Sequence, residues 1–344
     1  MGSSIETIMS NASSAEWLFI DHPDFWSELV CLEQLTGWAS PYHTASSLKY
    51  YQQRPLDDGN TLQDCSFVFQ WKGETVAAFI GALVTVNGII NLRAYEMPCY
   101  WIEHPERLSR KATKILFERL ECLVNQAKGE VWLKDFLING ELSSLSQYLL
   151  LKGGTAGPRF SRVIDLQNDT ARIKNNIRKS YTSLVNWGLR ELKPTVFTAE
   201  TLSWRQMLEF RELHIREAGR VTRSSASWHR QYESVLKGEA FVVLGYLDNA
   251  LVSAGLFSCS QVACYYGVSA SRRDLFKKPL FHAILWTAIL HAKERGCLWF
   301  EVGEQLFENH PDKSPPTKKE LDISLFKSGF GGGVRVYMDV LLNH

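Results

Sequence analysis

Short runs of strand-forming residues, separated by two-residue turns, occur twice along the chain. Asn87-Gly88 separates two such runs in the first half, and Asp248-Asn249 separates two in the second half. Turn residues of this kind between strand-type runs are typical of β-hairpins. The pattern predicts two antiparallel groups of three strands, over residues 66–71, 75–86 and 89–95 and over residues 240–246, 251–258 and 262–269.

Helical spacing follows each group of strands. Apolar residues recur every three or four positions over residues 107–128, and again from Pro279 until Gly296 ends the pattern. Proline suits the first helical position because it has no N–H that would be left unpaired there. The other predicted elements are strands over residues 130–136, 160–166, 298–302 and 334–342 and helices over residues 144–151, 171–187 and 202–217.

The two halves therefore follow one plan of three strands, a loop, a helix and a further strand. The distance between corresponding elements is about one domain length, roughly 170 residues. We predict an α/β (α+β) fold made by tandem duplication, with an N-terminal domain of residues 1–166 and a C-terminal domain of residues 167–344.

The composition suits a folded protein without a metal centre or membrane anchor. The chain has 344 residues, 45% of them hydrophobic, and its net charge of +1 provides no overall field for nucleic acid or an anionic membrane. Its seven cysteines show no metal-ligand spacing, and their odd number suits reduced thiols. The longest apolar stretch, residues 76–84, is too short to span a bilayer, and residues 1–14 do not have the pattern of a secretory signal. We expect a cytoplasmic protein.

The second half carries four motifs that are more specific than its periodicity. They read LHIREAGR at residues 213–220, CYYGVSAS at 264–271, EVGE at 301–304 and FKSGFGG at 326–332. With the repeated order of elements, they resemble the Gcn5-related N-acyltransferases (GNAT), in the tandem form of the Fem family and its acyl-CoA-using relatives. The resemblance implies two FemX-like tandem units, acyl-CoA as co-substrate, and an active site mainly in the C-terminal unit.

Two features depart from the parent patterns. The glycine-containing phosphate loop of ordinary GNAT enzymes is absent, since residues 271–278 contain no glycine. This departure leaves the usual mode of pyrophosphate binding open. No long coiled-coil arm interrupts the second unit, which argues against tRNA as the donor.

A basic loop precedes the helix that begins near Pro279. Its four cations lie where a helix N-terminus already favours a phosphate, and Ser269 lies just before them on the preceding strand. The resemblance implies a diphosphate site here, belonging either to coenzyme A or to a nucleotide-linked acceptor; the alternative is a solvated loop. The predicted cofactor-binding residues are Ser269, Arg272, Arg273, Lys277 and Lys278.

Two carboxylates end the strand that follows this helix. Glu301 interrupts an otherwise apolar run, and Glu304 follows it. Burial disfavours the charged form of a carboxylate, which suits a general base that takes a proton from an amine. Glu301 and Glu304 are the predicted catalytic residues; the alternative for Glu301 is a structural ion pair with Lys327 or Arg223.

Five further residues are predicted to contact substrate. Arg220 and Arg223 can bind phosphate, and Trp228 can stack on a sugar or a base. Tyr266 lies on a strand beside the basic loop. Lys327, next to glycines, can neutralise a phosphate or a developing oxyanion. The alternatives are a capped helix connection for the arginine–tryptophan segment and a tight turn with an exposed lysine.

These residues, with the resemblance, indicate transfer of an acyl group from acyl-CoA to the amine of a nucleotide-linked amino sugar, as in bacterial surface polysaccharide biosynthesis. No nucleophile motif is present, which favours direct attack in a ternary complex. One alternative is a Fem-like transferase that uses aminoacyl-tRNA and a peptidoglycan precursor, with the basic helix face of residues 172–179 as an RNA contact. Another is a binding protein whose acyltransferase units have lost their chemistry.

Overall fold

The computed structural model describes residues 14–309 and 315–344. Most of the N-terminal stretch used to predict the lack of a secretory signal lies outside these residues. The strands are β1 Ala15–Phe19, β2 Thr61–Asp64, β3 Phe67–Trp71, β4 Glu74–Ile80, β5 Ala82–Val86, β6 Ile89–Arg93, β7 Tyr100–Glu103, β8 Glu130–Asp135, β9 Thr155–Asp165, β10 Thr195–Phe197, β11 Ala240–Leu247, β12 Ala250–Cys259, β13 Ala263–Ser271, β14 Trp299–Glu304 and β15 Gly333–Asn343. The helices are α1 Phe25–Thr36, α2 Ala45–Asp57, α3 Arg110–Gln126, α4 Ser144–Leu151, α5 Thr170–Asn175, α6 Lys179–Glu191, α7 Trp204–Ala218, α8 Ser225–Leu236, α9 Leu280–Glu294 and α10 Lys318–Ser328.

The chain forms two compact units, and each unit is made of segments that are separate in the sequence. Unit 1 comprises the described residues up to Trp38, Asn60–Ala156 and Asp339–His344. Unit 2 comprises Ala39–Gly59, which includes α2, and Gly157–Met338. The boundary predicted between residues 166 and 167 separates the two repeated acyltransferase units, not the two compact units. It stays a prediction.

Unit 1 contains two groups of strands. β1, β3, β4 and β7 form an antiparallel sheet in that order, on which α1 packs, while β2, β5 and β6 are antiparallel and β6 pairs in parallel with β8. The single strand predicted over residues 75–86 is wrong, because the chain passes from β4 in one group to β5 in the other at Gly81. A Cβ at Gly81 would lie 2.5 Å from the ring of Phe79, so glycine is required at this transition.

Unit 2 contains a sheet in the order β10-β11-β12-β13-β14-β9, followed by β15. β10 to β13 are antiparallel, whereas β13 and β14 are parallel because α9 carries the chain between them. Helices α6 and α9 contribute to one buried apolar cluster and α7 and α8 to a second. The sheet therefore holds the site residues between two helical layers.

The helix predicted over residues 171–187 is also two elements, α5 and α6. The backbone N–H of Arg178 between them donates to the carbonyl of Gly329 at 2.8 Å. A Cβ at Gly331 would lie 2.6 Å from the carbonyl oxygen of Asn176. The glycine-rich segment therefore packs into the break, a long-range contact that helical periodicity does not encode.

Residues 14–309 and 315–344 contain neither a membrane-spanning helix nor a candidate metal cluster. No helix there is long and apolar enough to cross a membrane. No cluster of three or more His, Cys, Asp or Glu side chains suited to a metal ion occurs among the same residues.

Candidate active site

The parallel strands β13 and β14 pair over only a short distance. Residues 263–265 of β13 pair with residues 299–301 of β14. β13 nevertheless continues to Ser271, and β14 continues to Glu304. Both strands are fully described, and no residue pair joins them beyond Tyr265. An opening therefore lies between β13 and β14 within the sheet.

A β-bulge coincides with this opening. Leu256 of β12 pairs with Val268, but the next residue, Phe257, pairs with Tyr266. Gly267 is therefore the extra residue on β13. Bulges bend the strand that carries them, which accounts for the divergence of β13 from β14 just past their last pair.

The predicted catalytic residue Glu301 lies on β14 and is 2% exposed. The hydroxyl of Ser161 on β9 donates to its Oε1 at 2.6 Å, and the hydroxyl of Tyr337 on β15 donates to its Oε2 at 3.4 Å. Within the described residues, neither Lys327 nor Arg223 forms an ion pair with Glu301. Hydroxyl groups, rather than a counter-ion, surround this carboxylate.

Three tyrosines, Tyr42, Tyr265 and Tyr337, lie around Glu301. Burial raises the pKa of Tyr42 and of Tyr337, and the nearby charge of Glu301 raises both further. Burial and Glu301 likewise raise the pKa of Tyr265, whose ring centroid is 4.4 Å from that of Tyr42. These phenols stay protonated at neutral pH and remain available as donors to the carboxylate.

Lys327 on α10 is half-buried and has no hydrogen-bond or ion-pair partner in the described part of the chain. Burial lowers its pKa, and the charges of Glu304 and Glu301 oppose the shift. Its ammonium lies over Gly303, where φ is +111° and an added Cβ would be 2.8 Å from Nζ. The glycine thus leaves space for a cation beside the end of β14.

Glu304, the second predicted catalytic residue, is exposed at the end of β14. Its Oε1 lies 3.8 Å from Nη1 of Arg159. The two predicted carboxylates therefore occupy different environments, since Glu301 is enclosed by hydroxyls and Glu304 is open to solvent.

An open groove of about 1150 Å³ lies in unit 2 beside β13. Five of the predicted residues line it, and among them the side chains of Arg273, Lys277 and Lys278 are exposed and form no ion pair within the described residues. The hydroxyl of Tyr266 is hydrogen-bonded to Ser269 on the groove wall. Burial raises the pKa of Tyr266 to about 12, so this phenol also stays neutral.

Arg272 does not join this group. Its guanidinium binds both carboxylate oxygens of Asp274, with Nε 3.0 Å from Oδ1, and it is not among the residues that line the groove. The expectation that all four cations of the loop lie together is therefore corrected, because Asp274, two residues away, binds Arg272 and only the other three line the groove. That these three bind a ligand stays a prediction.

The groove also contains residues that the sequence analysis missed. Phe281 and Phe326 form its apolar floor, with Phe281 5.2 Å from Tyr266 between ring centroids, and Lys318 and Lys319 add cations at the start of α10. The sequence did hold a signal for α10, because Thr317 and Glu320 have the spacing of a capping box and form one.

The arginine–tryptophan segment is largely structural. Arg223 donates to the hydroxyl of Tyr50 at 2.8 Å and bonds to Nε2 of His214 at 3.0 Å. Trp228 is 1% exposed in the core formed with α7, which corrects the prediction that it stacks on a ligand. Arg220 is exposed outside the groove. Here the alternative of a capped helix connection fits, with Ser224 as the N-cap of α8.

Comparison with solved structures identifies the architecture. FemX matches with a TM-score of 0.69 at 13% identity, over 94% of this chain and 96% of its own. The fold is that of FemX. A tandem GNAT protein from the clavulanic acid biosynthesis pathway matches with a TM-score of 0.53 at 14% identity, over 96% of this chain and 98% of its own. L-PGS from Bacillus licheniformis matches with a TM-score of 0.53 at 11% identity, over 91% of this chain and 90% of its own.

These likenesses confirm the predicted fold class of two tandem GNAT-like units. No protein-family model and no curated protein matches the sequence. These likenesses concern the fold, and the candidate chemistry depends on the side chains of unit 2.

Proposed function

We propose that unit 2 transfers an acyl group from a coenzyme A thioester to an amine. The observation that carries the proposal is the opening between β13 and β14 beside a groove with unpaired cations. An interrupted sheet exposes backbone donors and acceptors to a ligand, and grouped cations favour a diphosphate. Residues of both kinds lie within one compact unit.

The groove fits the donor. Arg273, Lys277 and Lys278 would hold its diphosphate, and the floor of Phe281 and Phe326 would contact the less polar arm. Backbone groups of β13 beyond the last pair with β14 would hydrogen-bond the amide groups of that arm. Coenzyme A supplies an activated thioester, whose aminolysis needs positioning and proton removal more than covalent catalysis.

The group around Glu301 fits the proton transfer. In the reaction, the amine nitrogen bonds to the acyl carbon, the carbon–sulfur bond breaks, and the amine loses a proton. Because Glu301 is almost fully buried, the proton reaches it through the hydroxyls that already contact it. Lys327, whose ammonium lies over Gly303, would stabilise negative charge on the carbonyl oxygen.

For the acceptor, we propose the amine of a nucleotide-linked amino sugar. Lys318, Lys319 and the exposed Arg220 offer cations for a second diphosphate in addition to those of the basic loop. The second candidate is a Fem-like transfer from aminoacyl-tRNA. The open groove favours this candidate because it does not restrict the size of the donor. Binding to RNA would weaken steeply with salt.

The test supplies the purified protein with a panel of acyl-CoAs and nucleotide-linked amino sugars, and follows free thiol and acceptor mass. Acyl-CoA-dependent mass gain supports the proposal, whereas transfer only from aminoacyl-tRNA would replace it. The Lys277→Ala, Lys278→Ala double variant should lose binding of the donor. A matched control is Lys174→Ala with Lys179→Ala, because both lysines are exposed in unit 2 outside the groove. A parallel reaction supplied with aminoacyl-tRNA tests the other candidate, since loss of that transfer in the Lys174→Ala, Lys179→Ala variant would favour an RNA contact.

A further inference from the structure

The motif LHIREAGR at residues 213–220 contains a groove residue that the proposed chemistry does not use. Glu217 lies in the last turn of α7 and lines the groove. A carboxylate is unfavourable there for two reasons. The C-terminus of a helix carries a partial negative charge, and the groove is proposed to hold a diphosphate. Some other contact of Glu217 must offset these two costs.

Both carboxylate oxygens of Glu217 have a partner. Oε1 accepts a hydrogen bond from Nε of Arg216 at 2.9 Å, and Oε2 accepts one from the backbone N–H of Arg273 at 2.9 Å. The Glu217 side chain is 13% exposed, so water competes little for these bonds. Arg216 offsets the negative charge, whereas the second bond connects α7 to the basic loop, residues 272–278.

The bond between Glu217 and Arg273 joins residues that are 56 positions apart in the sequence. By contrast, the backbone bonds donated by residues 275, 276 and 278 each reach back only three residues within the loop. One residue before Arg273, the N–H of Arg272 donates to the carbonyl of Val252 on β12 at 2.9 Å. The carboxylate of Glu217 therefore extends the anchoring of the loop from β12 to α7, at the first cation that lines the groove.

We propose that Glu217 is a positioning residue for the diphosphate site. Through the N–H of Arg273, it holds the basic loop in the form that presents three cations to one ligand. This inference rests on the proposed function, since it assumes that Arg273, Lys277 and Lys278 bind a diphosphate. Preorganised groups bind more tightly because less conformational freedom is lost on binding. An acidic residue of the groove thus strengthens the binding of an anion, which is the opposite of what its charge alone predicts.

The test compares two substitutions of Glu217 by calorimetric titration of the full chain with coenzyme A. Glu217→Gln removes the charge but keeps an oxygen that can accept from the N–H of Arg273. Glu217→Ala removes both, and alanine favours the helical turn in which it would lie. We expect Glu217→Ala to weaken binding about tenfold, the equivalent of one lost charge-assisted hydrogen bond. Glu217→Gln should bind as tightly as the original chain or more tightly, whereas a purely electrostatic role predicts tighter binding in both variants.

Asp322→Ala is the matched control. Asp322 lines the same groove, and its Oδ2 lies 3.7 Å from Nζ of Lys318 on α10. Within the described residues, Asp322 forms no hydrogen bond to the basic loop. Its removal takes away a negative charge without releasing the loop, so coenzyme A should bind about twofold more tightly. The two alanine variants should therefore change the affinity in opposite directions.

Amide hydrogen exchange of the free protein, followed in ¹H–¹⁵N NMR spectra, tests the contact without a ligand. The Arg273 amide should exchange faster in Glu217→Ala but not in Glu217→Gln or Asp322→Ala. Unchanged exchange in Glu217→Ala, or binding of coenzyme A as tight as in the original chain, would overturn the proposal and leave the diphosphate site intact. If the original chain itself does not bind coenzyme A, the diphosphate site is overturned, and the role of Glu217 with it.

Discussion

Replacing Gly303 with alanine tests whether the position of Lys327 matters to turnover. The added Cβ would lie 2.8 Å from Nζ and 3.5 Å from Cε of Lys327. Ordinary van der Waals contact begins near 3.4 Å, so the ammonium must retreat by about 0.6 Å. Misplacement of a catalytic group by about 1 Å can cost about a hundredfold in rate. We therefore expect kcat to fall by about ten- to a hundredfold.

The same substitution also strains the backbone, because φ at Gly303 is +111°. Strain of this kind costs about 1–3 kcal/mol in the free energy of unfolding. Gly296→Ala provides the control, since Gly296 has φ of +87° and no atom within 4 Å of an added Cβ. Both variants should lose stability in urea titrations, but only Gly303→Ala should lose turnover.

The assay is release of coenzyme A thiol in the presence of the acceptor, at a temperature where both variants are folded. A double-mutant cycle identifies the route of the effect. If Gly303→Ala acts through the lysine, adding it to Lys327→Met should lower kcat no further. A folded Gly303→Ala protein with kcat close to that of the original chain would refute the importance of the ammonium position.

Three further outcomes are expected. Glu301→Gln should fold and lose about a hundredfold to ten-thousandfold in turnover. The loss should shrink as pH rises, because more of the acceptor amine is already neutral. Full turnover would exclude Glu301 as the base. Arg273→Ala should raise the KM for acyl-CoA. Arg272→Ala should change this KM little, because Asp274 already binds the Arg272 guanidinium. Equal effects of the two substitutions would contradict the assignment of Arg273, and not Arg272, to the groove. Burial lowers the pKa of Lys327 below its ordinary 10.5, so the unfolded chain holds more protons between the two values and stability rises with pH there. Denaturant titrations of Lys327→Met should show greater stability at neutral pH and a smaller rise towards pH 10.5.

The sequence predicts the order of the principal elements well where local rules decide it. α4 begins and ends at the predicted residues, and α9 begins one residue after Pro279. The errors occur where distant contacts decide. Gly81 interrupts a continuous apolar run because the ring of Phe79 fills the space beside it, and such a contact has no local signature.

The candidate site shows the same division. Carboxylate and lysine positions follow from strand ends and glycine-rich motifs, so the sequence could single out Glu301 and Lys327, whose roles stay predictions. The partners of Glu301 were not, since Ser161 and Tyr337 lie on strands far from it in sequence. Trp228 was misjudged because composition cannot distinguish an exposed aromatic ring from one packed on α7.

The short ladder between β13 and β14 has a consequence for local stability. Only three residue pairs join these strands, although their side chains share one apolar cluster through Cys264 and Phe300. Opening there breaks few backbone hydrogen bonds, so amide hydrogens of residues 266–271 should exchange faster than those of β11 and β12. A ligand that hydrogen-bonds to this edge would slow the exchange as its concentration rises. Hydrogen exchange along β13 would then report occupancy of the site without any turnover assay.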